Sequence, residues 1–219
     1  MARVSQQLVT LYQILETGER LLSEEEIDPL LQSRSVLLRS LSAEALAYYP
    51  SHFSQPHLMR LLRDPNGDVR SSAAIAMEHH GSAAVNEMLW DAFLHDTDPL
   101  VRGYAGYSFL MTSESPECAA TALEEGLTAE RNAFVRVICC GGLYELTGTE
   151  KHLKQILCGV QSKNYRARCA VANVLLGVLD EENAREILTF SEKVLARERI
   201  RAVSSQFDVL KTAAEQLCE

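Results

Sequence analysis

The stretches Asp64-Pro65-Asn66-Gly67-Asp68-Val69-Arg70-Ser71-Ser72-Ala73-Ala74-Ile75-Ala76 and Asp96-Thr97-Asp98-Pro99-Leu100-Val101-Arg102-Gly103-Tyr104-Ala105-Gly106-Tyr107-Ser108 decide the fold. Each sets a turn-forming cluster before an aliphatic-Arg pair and follows it with small residues three and six positions later. Asp, Asn and Pro in the cluster open a helix: short polar side chains accept the unpaired amide hydrogens of the first turn, and Pro has no amide hydrogen to leave unpaired. Small side chains three apart then let that helix lie close against its neighbours.

Outward from these two stretches the same unit recurs. An aliphatic or small residue precedes Arg in Leu38-Arg39, Val69-Arg70, Val101-Arg102, Val135-Arg136, Ala167-Arg168 and Ile200-Arg201, with successive arginines 31, 32, 34, 32 and 33 residues apart. Three residues after each Arg come Ser42, Ala73, Ala105, Cys139, Val171 and Ser204. Six residues after come Ala45, Ala76, Ser108, Gly142, Val174 and Phe207, of which only the last is large. Turn clusters also stand at Glu130-Arg131-Asn132, Ser162-Lys163-Asn164 and, less clearly, Ser33. Between the units lie leucine-type helices such as Leu58-x-x-Leu61-Leu62, Val85-x-x-Met88-Leu89 and Leu153-x-x-Ile156-Leu157, with the three- and four-residue spacing of an amphipathic face.

A period of this length predicts stacked helical hairpins, each covering the apolar face of the next. Val4, Leu8, Leu11 and Leu15 predict one further helix ended near Gly18, and the unit from Ala196 onward lacks the turn cluster and gains charge. The expected architecture is an all-α, α-α superhelix (α-solenoid) of about six hairpins in a single domain over 1–219, with a capping helix over 1–22, repeats over 23–195 and a C-terminal cap over 196–219.

These units resemble the short HEAT-like repeats of the bilin lyase type, as a pattern over roughly residues 24 to 210. The signatures of tetratricopeptide and ankyrin repeats are absent. The resemblance implies the fold and leaves activity open; chromophore handling is what it implies as an alternative to a binding scaffold. HEAT-like alkylpurine DNA glycosylases are a less favoured alternative, because they resemble this chain in architecture but use a basic, Trp-lined groove. Here Trp90 is the only tryptophan, stands in apolar company and is expected in the core.

Composition narrows the classes further. The chain of 219 residues carries 21 Lys+Arg against 30 Asp+Glu, a net charge of −9, which argues against nucleic acid as a partner because phosphate binding draws on Lys and Arg. No uncharged run approaches a membrane span, and the N-terminal Met-Ala-Arg-Val-Ser-Gln-Gln-Leu lacks the apolar stretch of a secretory signal, so a cytoplasmic protein with no membrane partner is expected. Cys118, Cys139, Cys140, Cys158, Cys169 and Cys218 include no C-x-x-C spacing and are expected as buried reduced thiols. His79-His80 beside Glu78 has no His-Glu dipeptide of the kind that binds iron in deoxyhypusine hydroxylase, and adjacent histidines diverge on a helix; a solvated helix end is expected. No cofactor and no metal is assigned, and no catalytic residue.

Two sets of residues stand out. Asp64, Arg70, Asp96, Arg102, Arg136 and Arg168 resemble the Asp–Arg ladder that ties neighbouring HEAT-like repeats, a structural role that bidentate guanidinium–carboxylate pairs suit. On the opposite side of each second helix, two, five and nine residues after the Arg, lie Tyr48, Ile75, His79, Tyr104, Tyr107, Met111 and Glu145. They are the expected partner-binding residues on the concave face, unless the facing is off by one position and they are core. The sequence thus points to a non-catalytic scaffold for a protein or peptide, with acidic rims such as Glu24-Glu25-Glu26 and Asp180-Glu181-Glu182 favouring a basic partner.

Overall fold

The computed structural model describes the backbone of residues 2–19 and 21–218 and the side chains of 6–19 and 21–218. The chain runs α1 (Ala2–Thr17), α2 (Glu24–Leu31), α3 (Val36–Ala45), α4 (Ser51–Leu61), α5 (Gly67–Met77), α6 (Ala83–His95) and α7 (Pro99–Thr112). It continues through α8 (Pro116–Leu127), α9 (Ala133–Thr147), α10 (Glu150–Cys158), α11 (Tyr165–Gly177), α12 (Ala184–Leu195) and α13 (Arg201–Cys218). The described residues form helices and turns without a strand, and the fold class is all-α, of the α-solenoid type. The sequence reads as one array, and the backbone groups into two compact units, Met1–Ala119 and Ala120–Glu219, with the boundary inside α8.

In the first unit α2–α3, α4–α5 and α6–α7 are hairpins whose second helices α3, α5 and α7 lie side by side, and α1 packs on α3. In the second unit α9, α11 and α13 form the corresponding row, α10 packs against α9 and α11, and α12 against α13. The repeat explains why. The turn residues cap the second helices: the side chains of Ser35, Asn66, Asp98, Asn132 and Asn164 accept from the amides of Leu38, Asp68, Leu100, Phe134 and Arg166. In α3, α5, α7, α9 and α11 the residue before the Arg is buried, as is the small residue three after it. At Gly141 the approach of α11 is so close that a Cβ would stand 2.7 Å from a methyl of Val174, so glycine here is a packing requirement.

Three expectations are corrected. In α13 the register is shifted: Glu198 accepts the amides of Arg199 and Ile200 as Asp64 accepts that of Asn66, so the turn is present with Glu198 in the place of Asp. Arg201 is then an exposed first-turn residue, Ser204 holds the Arg position, and Phe207 is the wholly buried residue three after it. The thiols of Cys118, Cys158 and Cys218 are exposed and Cys169 is half-buried; burial holds only for Cys139 and Cys140 of α9, and no disulfide joins any of the six. The helix expected to end near Gly18 is present as α1; its buried side chains are Leu11 and Ile14, with Leu8 and Leu15 half-buried and the side chain of Val4 outside the described residues. His80 is buried rather than solvated; its ring nitrogens meet the Ser51 hydroxyl at 3.0 Å and the Leu46 carbonyl at 2.7 Å, and only His79 is an exposed helix end.

Candidate functional site

The arginines of the repeat reach forward. Arg39 grips Asp64 through Nε (2.8 Å) and Nη2 (3.0 Å) while Nη1 donates to the Ser33 carbonyl at 2.7 Å. Arg70 repeats this with Asp96 (2.7 and 2.8 Å) and the Asp64 carbonyl (2.9 Å), and Arg168 with Glu198 (2.8 and 3.3 Å) and the Ser162 carbonyl (2.8 Å). Each such guanidinium therefore closes its own turn with Nη1 and ties the next turn with its Nε–Nη2 edge. Arg102 closes its turn on the Asp96 carbonyl at 2.9 Å, and Arg136 closes its own on the carbonyls of Leu127 (2.9 Å) and Glu130 (3.3 Å).

Electrostatics follow the geometry. Burial alone would raise the Asp64 and Asp96 carboxyls, but the hydrogen bonds and charges of the paired arginines and the turn amides outweigh it and hold both below the usual range. The Glu198 carboxyl is drawn down to about 2, first by the Arg168 hydrogen bond. Sequence reasoning left Arg39 and Glu198 out of the ladder. Arg39 carried the full repeat signal; Glu198 was hidden by the three-residue register shift.

The face of α3, α5 and α7 places the other set. Glu44 is half-buried and its carboxylate accepts from the Ser72 hydroxyl at 2.7 Å, joining α3 to α5. Tyr104 on α7 is half-buried, and its phenol is pushed up by burial and then by the charge of Glu44. Ile75, Tyr107 and Met111 are also half-buried, and His79 is exposed. Glu145 is exposed on α9 in the second unit. The side chains two residues after Arg differ from a free face: Leu41, Ser72 and Ile138 are buried in the helix row.

Tyr48 serves another purpose. Although exposed, its ring lies over Gly18, where a Cβ would stand 3.1 Å from it, and its hydroxyl donates to the Leu15 carbonyl at 3.3 Å. Gly18 ends α1 at φ +65°, donating its amide to the Ile14 carbonyl at 2.8 Å. Tyr48 thus pins the end of α1. Trp90, expected in the core, is half-buried and packs on Phe93 and Phe109 at ring separations of 5.4 and 4.7 Å. Among the described residues no group of His, Cys, Asp and Glu is placed to hold a metal ion, and no helix is long and apolar enough to cross a membrane.

A family model of HEAT repeats matches residues 26–109, from α2 into α7. No curated protein and no solved structure matches the chain.

Proposed function

Starting from a HEAT-like repeat protein, we propose that the chain is a non-catalytic scaffold that holds a protein or peptide partner on the exposed face of α3, α5 and α7. HEAT repeats commonly mediate protein–protein contacts. The observation that carries the reading is the hydrogen bond of the Ser72 hydroxyl to the Glu44 carboxylate, which joins α3 to α5, together with half-buried Tyr104, whose phenol is pushed up by burial and then by the charge of Glu44, and half-buried Ile75. It combines one fixed negative charge with aromatic and aliphatic surface, the composition of a binding centre. Tyr107 and Met111 of α7 and His79, just past α5, belong to the same expected face. The net charge of −9 favours a basic partner by steering.

The test begins with affinity purification from the native host, followed by binary titration with the partner so identified. Glu44→Gln retains an acceptor for Ser72 and removes the charge; Ile75→Ser removes apolar surface. Each should weaken binding by about tenfold or more at unchanged helicity, and binding should weaken as salt rises from roughly 0.05 to 0.5 M. Binding indifferent to both substitutions and to salt would refute this placement.

A further inference from the structure

Among the described residues the Arg136 guanidinium meets no carboxylate of the chain, and Arg136 lines a cavity. Arg39 finds its acceptor 25 residues on, at Asp64, and Arg70 finds one 26 residues on, at Asp96. The matching residue for Arg136 is Ser162, which has no charge to offer. Among the described residues the Arg136 side chain donates only through Nη1, to the carbonyls of Leu127 and Glu130. Its Nε–Nη2 edge, the edge that holds a carboxylate at Arg39, Arg70 and Arg168, has no such partner there.

Arg136 lines an open cavity of about 420 Å³ whose other walls come from Glu124 and Leu127 of α8, the turn before α9, and α10, all residues of the second unit. The acids around it are already engaged. Glu124 is held by His152 Nε2 at 2.6 Å and Lys151 at 3.3 Å, and Glu130 accepts the amides of Arg131 and Asn132 at 2.8 and 2.6 Å. That leaves two guanidinium groups, Arg131 and Arg136, on a cavity whose carboxylates are spent, and its size suits a small organic molecule or the last residue of a peptide.

We propose that this cavity is a binding site for a carboxylate supplied by a ligand, which completes the rung by taking the Nε–Nη2 edge of Arg136 in the bidentate geometry of the other rungs. The carboxylate is that of a small free acid or of a peptide C-terminus, and the site is separate from the α3–α5–α7 face.

The experiment titrates the whole chain with succinate, with a short peptide bearing a free C-terminus, with the same peptide amidated, and with inorganic phosphate, following heat of binding and melting temperature. Succinate or the free-acid peptide should bind and raise the melting temperature, and whichever binds identifies the source. Arg136→Gln should weaken that binding by about tenfold or more. Ser162→Asp should supply the missing carboxylate from within the chain, raise the melting temperature without ligand and suppress binding to the same degree. Failure of both acids to bind, equal binding of the amidated peptide or of phosphate, or a Ser162→Asp chain that binds as the parent does would each overturn the proposal.

Discussion

Arg70→Ala tests the ladder most directly. The Asp96 carboxylate, with its side chain 12% exposed, receives Nε and Nη2 of Arg70 at 2.7 and 2.8 Å and the Asp98 amide at 2.8 Å. Removing the guanidinium leaves that carboxylate with the one backbone donor and strips the Asp64 carbonyl of Nη1. Breaking a buried pair from one side costs about 3–5 kcal/mol, because the remaining charge stays desolvated. Here both side chains keep slight contact with water, and the void left by Arg70 admits more, so the lower end, about 3 kcal/mol, applies. For a chain of this size about 2–4 °C of melting temperature accompanies each kcal/mol, which gives a fall of about 6–12 °C. The assay is thermal melting by circular dichroism beside Arg34→Ala, an exposed arginine expected to change stability by no more than about 0.5 kcal/mol. Arg70→Lys keeps the charge but not the fork and should recover only part of the loss. A fall below about 2 °C for Arg70→Ala would refute the ladder as a source of stability.

Acid should unfold the chain through the same groups. The carboxyls of Asp64, Asp96 and Glu198 are depressed in the fold, so the unfolded chain takes up protons first; their stabilisation is complete above about pH 4.5 and is lost as pH falls towards 2. Urea midpoints measured against pH should show this, and Glu198→Gln should flatten the slope. Gly159→Ala should destabilise by about 1–3 kcal/mol in urea titrations, because its Cβ would overlap Val137 and stand 2.8 Å from Val171. Gly177→Ala, with nothing within 4 Å of its Cβ, should stabilise by about 0.4–1 kcal/mol. In thiol titration of the native chain Cys118, Cys158 and Cys218 should react promptly; Cys139 and Cys140 should react only on unfolding, the Cys140 thiol being pushed up to about 11 by burial.

The fold was legible because its period is local. Capping residues, the aliphatic-Arg pair and the small residues after it act within one helix, and each recurs often enough to be read without knowing what faces it. Asn66, Val69, Arg70 and Ala73 therefore announce a second helix and its buried side on their own. The last repeat shows the limit. Ile200-Arg201 imitates the dipeptide, and only the hydrogen bonds of Glu198 reveal that the true register runs through Val203 and Phe207. A side chain with the right identity in the wrong frame cannot be told from a real one by spacing alone.

What lies across helices belongs to the tertiary structure. Tyr48, just past the end of α3, reads as an exposed binding residue, yet its ring covers Gly18 at the end of α1, with α2 and α3 between them in the chain. His80 reads as solvated, yet the carbonyl of Leu46 and the hydroxyl of Ser51 stand around it. The sequence determined the repeat, its caps and the class of fold, since propensity and short-range spacing specify those. Which arginine edges are filled, which faces are covered and where Arg136 stands beside a cavity were decided by the packing of residues far apart in the chain, because burial and ion pairing depend on neighbours that no single repeat contains.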